Sequence, residues 1–247
     1  MQSVGMFISL STVALGIALA IGLLRLGVRN RTAPELAMGL YCLLVRSGAV
    51  LFGLAIRAGA TGSAAADALV RAYTLCIALA ACALAVGIWR IFRRAEPWAG
   101  ALAAFAILWI GAAWVACNVS GHPVLLSEPT PQNLTFVAGR IAVYACGAFE
   151  AMRYSRMLRR RVELGLADPV SAHQIRLWGF AWLCAAAIAV GSVLGAWLGG
   201  HAVLESPLFL LPLSTLNAAA WICTWLAFFP PRAYQSWVAG ERAASTA

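Results

Sequence analysis

Lysine is absent from this 247-residue chain, and all 18 basic residues are arginine. No side chain can therefore form a Schiff base with retinal. Histidine is scarce: His122, His173 and His201 fall in loops or at helix ends, not as the paired ligands a haem needs at membrane depth. Charge is thin, at 11% of residues against about a quarter in an ordinary soluble domain. Only nine residues are acidic, and none joins a His/Glu/Asp cluster with metal-ligand spacing. No Walker A or dinucleotide glycine pattern occurs, and Ser214 has no histidine or lysine base at its depth. An enzyme would have to work with Glu150 and Arg46 alone, so no catalytic residue, metal or cofactor is expected. The seven cysteines all fall in apolar segments without a CxxC pair, the pattern of small buried hydrophobes rather than a disulfide framework.

What the chain has in abundance is apolar length. Hydrophobic residues make up 62%, with a mean hydropathy of +0.83. A bilayer core needs roughly 20 apolar residues per helix. Seven stretches qualify, at about 5–27, 35–57, 66–91, 97–118, 133–156, 172–198 and 207–229. The expected fold is an all-α membrane protein, a single seven-transmembrane-helix bundle over residues 1–247 with a short interfacial tail, 230–247, carrying Tyr234 and Trp237. The lead Met1–Met6 has no positive n-region, and the apolar run after it is too long for a typical signal peptide, so the first helix is read as retained. Within these residues no stretch is left for a kinase, cyclase or DNA-binding domain; any signal would pass through a partner.

Helix starts carry their own chemistry. Thr32-Ala33-Pro34-Glu35 reads as a capping box with proline in the first turn of helix 2. Glu96-Pro97, Asp168-Pro169 and Ser206-Pro207 each pair a possible cap with a proline at helices 4, 6 and 7. Pro131-Gln132 is placed in the longest outer connection, about 119–132. The longest inner connection is expected to hold Arg159-Arg160-Arg161. Fourteen arginines fall on one set of connections and tails and only Arg57, Arg71 and Arg140 on the other. The positive-inside rule then puts the N-terminus outside and the C-terminus in the cytoplasm. It also accounts for the net charge of +9 without nucleic acid.

Polar residues at membrane depth are the candidate functional residues, because charges there usually face the bundle interior or a cavity. Arg46 and Glu150 fall at depths that differ by only about 5 Å at the α-helical rise. They are read as a buried ion pair, either a structural tie or the polar floor of a ligand or proton site. Glu150 could instead meet Arg153, three residues on. Asn217 in helix 7 needs a partner in hydrocarbon, by default on another helix. Trp89, Trp98, Trp178, Trp197 and Trp237 fall near helix ends as a membrane-interface belt. Arg153, Arg156, Arg159, Arg160 and Arg161 form a cytoplasmic surface for anionic lipid headgroups or for a docked protein.

Three segments together carry a resemblance: Arg31-Thr32-Ala33-Pro34-Glu35-Leu36; Glu150-Ala151-Met152-Arg153-Tyr154 leading through Arg159-Arg160-Arg161 to Asp168-Pro169; and Trp225-Leu226-Ala227-Phe228-Phe229-Pro230-Pro231-Arg232. The set resembles a group of uncharacterised seven-helix integral membrane proteins of bacteria. The resemblance implies the topology and a bacterial inner membrane, and no activity. The expected function is that of a non-enzymatic membrane protein: a ligand- or lipid-responsive sensor, or a complex subunit or oligomer acting through a partner. The alternative is a small-solute transporter or channel with a polar site around Arg46, Glu150 and Asn217.

Overall fold

The computed structural model describes residues 2–60, 65–120, 130–199 and 207–245. The stretch 121–129, with His122, and residues 200–206, with His201 and Ser206, lie outside them. Among the described residues the protein is all-helical: α1 (Gln2–Asn30), α2 (Ala33–Ala60), α3 (Ala65–Phe92), α4 (Pro97–Val119), α5 (Pro131–Glu163), α6 (Pro169–Gly199), α7 (Pro207–Phe228) and α8 (Arg232–Ser245). The first seven are long and apolar enough to cross a membrane.

The chain divides into two compact units. The first comprises Met1–Val143 with Ala189–Leu211, and the second Tyr144–Ile188 with Pro212–Ala247. In the first unit, successive helices run antiparallel. The α1–α2 link is almost without length. Arg31 takes a left-handed φ of 54°, at a cost of roughly 1–2 kcal/mol for a residue with a Cβ, and the Thr32 N–H donates to the Gly27 carbonyl at 3.0 Å, closing α1 in a Schellman turn. The two backbones then touch. A Cβ built on Gly27 would stand 2.8 Å from the Leu36 backbone nitrogen, and one on Gly39 would stand 2.9 Å from that of Leu24. Further along, Phe52 on α2 stacks on Tyr73 of α3 at 4.9 Å. The Trp114 indole N–H on α4 donates to the buried Thr74 hydroxyl on α3 at 3.1 Å. Trp109 donates to the Thr135 carbonyl of α5 at 3.1 Å.

In the second unit, the later part of α5 packs on the early part of α6. Gly179 leaves room for Met152, whose Cγ would stand 3.1 Å from a Cβ there, and the Ser155 hydroxyl donates to the Ala172 carbonyl at 3.0 Å. Trp178 meets Trp182 at 4.8 Å and the edge of Phe228 on α7 at 5.2 Å. Both tryptophans are buried, so Trp178 is a packing residue and not part of an interface belt.

Several helix ends differ from the expectation. The Thr32–Glu35 capping box does not form: Thr32 Oγ1 and Glu35 Oε2 have no hydrogen-bond partner. The turn already commits the Thr32 N–H to Gly27, so Glu35 has no donor to reach back to. Glu96 stands at the N-cap of α4 but makes no side-chain cap bond; its carboxylate is drawn away to Arg93 at 2.6 Å. Pro131 is not in a loop. It opens α5, whose N-cap is Thr130, with the Asn133 N–H donating to the Thr130 hydroxyl at 3.2 Å. At its far end α5 continues to Glu163, so Arg159–Arg161 belong to a helix and not to a connection. The tail expected after residue 230 contains a helix, α8.

Candidate functional site

Arg46 belongs to the first unit. It lies in the α2 span Pro34–Ala55, is 3% exposed, and follows the fully buried Cys42 by one helical turn. Its bed is Gly16 of α1. A Cβ at Gly16 would stand 2.7 Å from Arg46 Cγ and 2.8 Å from Cδ. Only a residue with no side chain leaves room for the arginine stem to cross the α1 backbone. A guanidinium is costly at membrane depth and is kept where protein groups surround it.

Glu150 belongs to the second unit and is 8% exposed. An ion pair links it to Arg153, Nη1 to Oε2 at 3.5 Å, with the Arg153 side chain 54% exposed. This is the neighbouring (i, i+3) pair, held in one geometry by the helix itself. Asn217 lies in the same unit on α7. Its side-chain carbonyl accepts the Trp221 indole N–H at 3.0 Å, a bond made within α7. Thr224, also on α7, donates to the Ala220 carbonyl at 2.7 Å.

The arginine-rich surface is the end of α5. Arg153, Arg156, Arg159, Arg160 and Arg161 are all exposed, on a helix continuous with the span below. Arg156 Nε donates to the Met152 carbonyl at 3.4 Å. The corner that follows is rigidly built. Leu166 N–H returns to the Arg161 carbonyl at 2.8 Å, and Gly165 N–H to the Val162 carbonyl at 3.0 Å, while Gly165 takes φ 72°, the left-handed conformation glycine adopts at no steric cost. Asp168 then caps α6, accepting the Val170 N–H at 3.2 Å, the Ser171 N–H at 3.0 Å and the Ser171 hydroxyl at 2.9 Å. Burial alone would raise its carboxyl, but the Ser171 hydroxyl and the two backbone N–H groups outweigh it and hold the carboxyl below the usual range.

Two groups were not legible from pattern alone. One is the polar contact of α4 with α5, where Cys117 Sγ meets Asn133 Oδ1 at 3.6 Å and both residues are buried; the N-cap spacing Thr130–Asn133 is the signal that would have exposed it. The other is a ring cluster in the second unit. His173 in the early turns of α6 meets Tyr234 edge-on at 5.7 Å and Trp237 at 6.3 Å, and those two rings of α8 lie 5.8 Å apart.

Among the described residues no group of three His, Cys, Asp or Glu side chains gathers as a metal site. Compared with protein-family models, with curated proteins and with solved structures, the chain finds no match.

Proposed function

We propose that the chain is a non-enzymatic, multi-pass protein of the bacterial inner membrane, with its N-terminus outside, that responds to anionic lipids at the arginine-rich end of α5 and acts through a protein partner. One observation carries this reading: α5 runs unbroken from an apolar stretch into its end segment, Arg153–Glu163, whose five arginines are exposed. A helix of that kind carries its charges directly into the headgroup layer, where each basic residue contributes about 1 kcal/mol near an anionic surface. Arginine suits the task, since its planar fork pairs with a phosphate through two hydrogen bonds. The capped corner after Arg161 holds the end of α5 in one direction, so lipid binding would change the stability of the second unit and not just the position of a loose tail.

The test is stability as a function of lipid charge. Wild-type protein in nanodiscs of phosphatidylglycerol is expected to melt higher than in phosphatidylcholine, with the gap shrinking as salt is raised. Replacing Arg159, Arg160 and Arg161 by glutamine removes up to about 3 kcal/mol of this attraction and should close most of the gap. Equal melting in the two lipids would reject the reading.

A further inference from the structure

We infer that α8 is an interfacial helix that lies in the headgroup layer, with Trp237 as its anchor in the lipid. The inference deepens the lipid reading and rests on it for the side of the membrane, not for the contact itself.

The position of α8 follows from chain length. The α7 span ends at Phe228, and α8 begins at Arg232. Three intervening residues reach at most about 10 Å, and Pro230-Pro231 ends the span without allowing it to continue. The start of α8 therefore stays at the membrane boundary. Its first two turns are also tied to that level: Tyr234 and Trp237 meet His173, only four residues into the span that begins at Pro169.

The faces of α8 then sort by chemistry. Val238 is buried, and Tyr234, one turn earlier, is half-buried; these two seat the helix on the protein. Arg232, Gln235 and Ser236 are exposed, and Gln235 is held by donation to the Pro230 carbonyl at 2.9 Å. Trp237 stands at the border of the two faces, one edge on His173 and 53% exposed. An indole half on protein, half open, at the boundary of an apolar span has the surroundings that favour tryptophan at membrane interfaces, an apolar body with a wet N–H. A lipid surface offers both environments at that level. Among the described outward positions of α8 the exposed indole is the only large apolar side chain.

The experiment places p-benzoylphenylalanine at position 237 of the full chain in native membranes, followed by irradiation and intact-mass analysis. Phospholipid adducts are expected. Adducts to another protein or to a second copy of the chain, or no adduct, would overturn the inference. Hydrogen exchange over 232–245 in phosphatidylcholine nanodiscs supplies a second readout: the amides should be protected, and Trp237→Ala should abolish the lipid-dependent part of that protection. Because this lipid is zwitterionic and carries no net charge, protection here without any phosphatidylglycerol effect on melting would overturn the arginine reading alone. The reverse pattern would overturn the α8 inference alone.

Discussion

Replacing Gly16 with alanine forces a contest between helix propensity and sterics. In a helix interior alanine is favoured over glycine by about 0.8–1.0 kcal/mol, so the exchange should stabilise α1 if nothing stood beside it. Arg46 stands beside it. The new methyl would sit 2.7 Å from Arg46 Cγ and 2.8 Å from Cδ, well inside contact distance, and the arginine is 3% exposed and has little room to retreat. Overpacking of this kind costs about 1–3 kcal/mol, so the net effect in the wild-type background is a loss of about 0–2 kcal/mol. With Arg46 already cut back to alanine the steric part vanishes, and the same substitution should stabilise by up to about 1 kcal/mol. The difference between the two backgrounds is thus a coupling of about 1–3 kcal/mol. It is measured by unfolding wild type, Gly16→Ala, Arg46→Ala and the double variant with sodium dodecyl sulfate in mixed micelles, followed by far-ultraviolet circular dichroism. Independent sites add to within about 0.5 kcal/mol. A coupling below that would show that the Arg46 stem does not cross α1 at Gly16.

Three other outcomes are expected. Asp168→Ala removes the N-cap of α6 and should cost about 1 kcal/mol at neutral pH. Because the folded carboxyl is held below its unfolded value of about 3.9, that stabilisation is complete above about pH 4 and lost as pH falls through the lower folded value; thermal melts of both proteins should converge in acid, and a gap that widened there would refute the cap. Trp114→Phe keeps the ring but loses the bond to Thr74, a change of about 0.6 kcal/mol for an interhelical bond within a membrane, detectable by the same detergent titration and absent if Thr74 is replaced by valine first. Gly179→Val drives a branched side chain into Met152 and Ala151 and should cost about 1–3 kcal/mol, while Met152→Ala in the same chain should recover part of the loss.

Proline was the most readable helix signal in the sequence, since at the first helical position its missing N–H costs nothing. Pro97, Pro169 and Pro207 stand at the first residues of α4, α6 and α7. Pro131 carries the same signal, yet its neighbours Gln132 and Asn133 are polar and read as loop until Thr130 is seen to cap them. Apolar windows also lose sight of a helix once it leaves the hydrocarbon. The stretch from Ser155 to Glu163 is too charged to count as a span, but Arg, Met and Leu are good helix formers and α5 continues through it. α8 is polar and short, and its seat on His173 depends on residues some 60 positions earlier in the chain. The Glu150–Arg153 spacing was visible as a helix-surface pair. The bed of Arg46 was not, because nothing in composition says that α1 and α2 meet with Gly16 opposite Arg46. Cap pairs failed where a stronger competitor held one member, as Arg93 does with Glu96.

The lipid reading meets its most direct test in native mass spectrometry of the protein released from its own membranes, comparing wild type with the variant in which Arg159, Arg160 and Arg161 are glutamine. Wild-type protein is expected to retain anionic phospholipid, and the variant to lose it while keeping the same fold by circular dichroism. Equal retention of anionic lipid by both proteins, or wild-type protein carrying only uncharged-headgroup or zwitterionic lipid, would contradict the assignment of the α5 arginines to lipid.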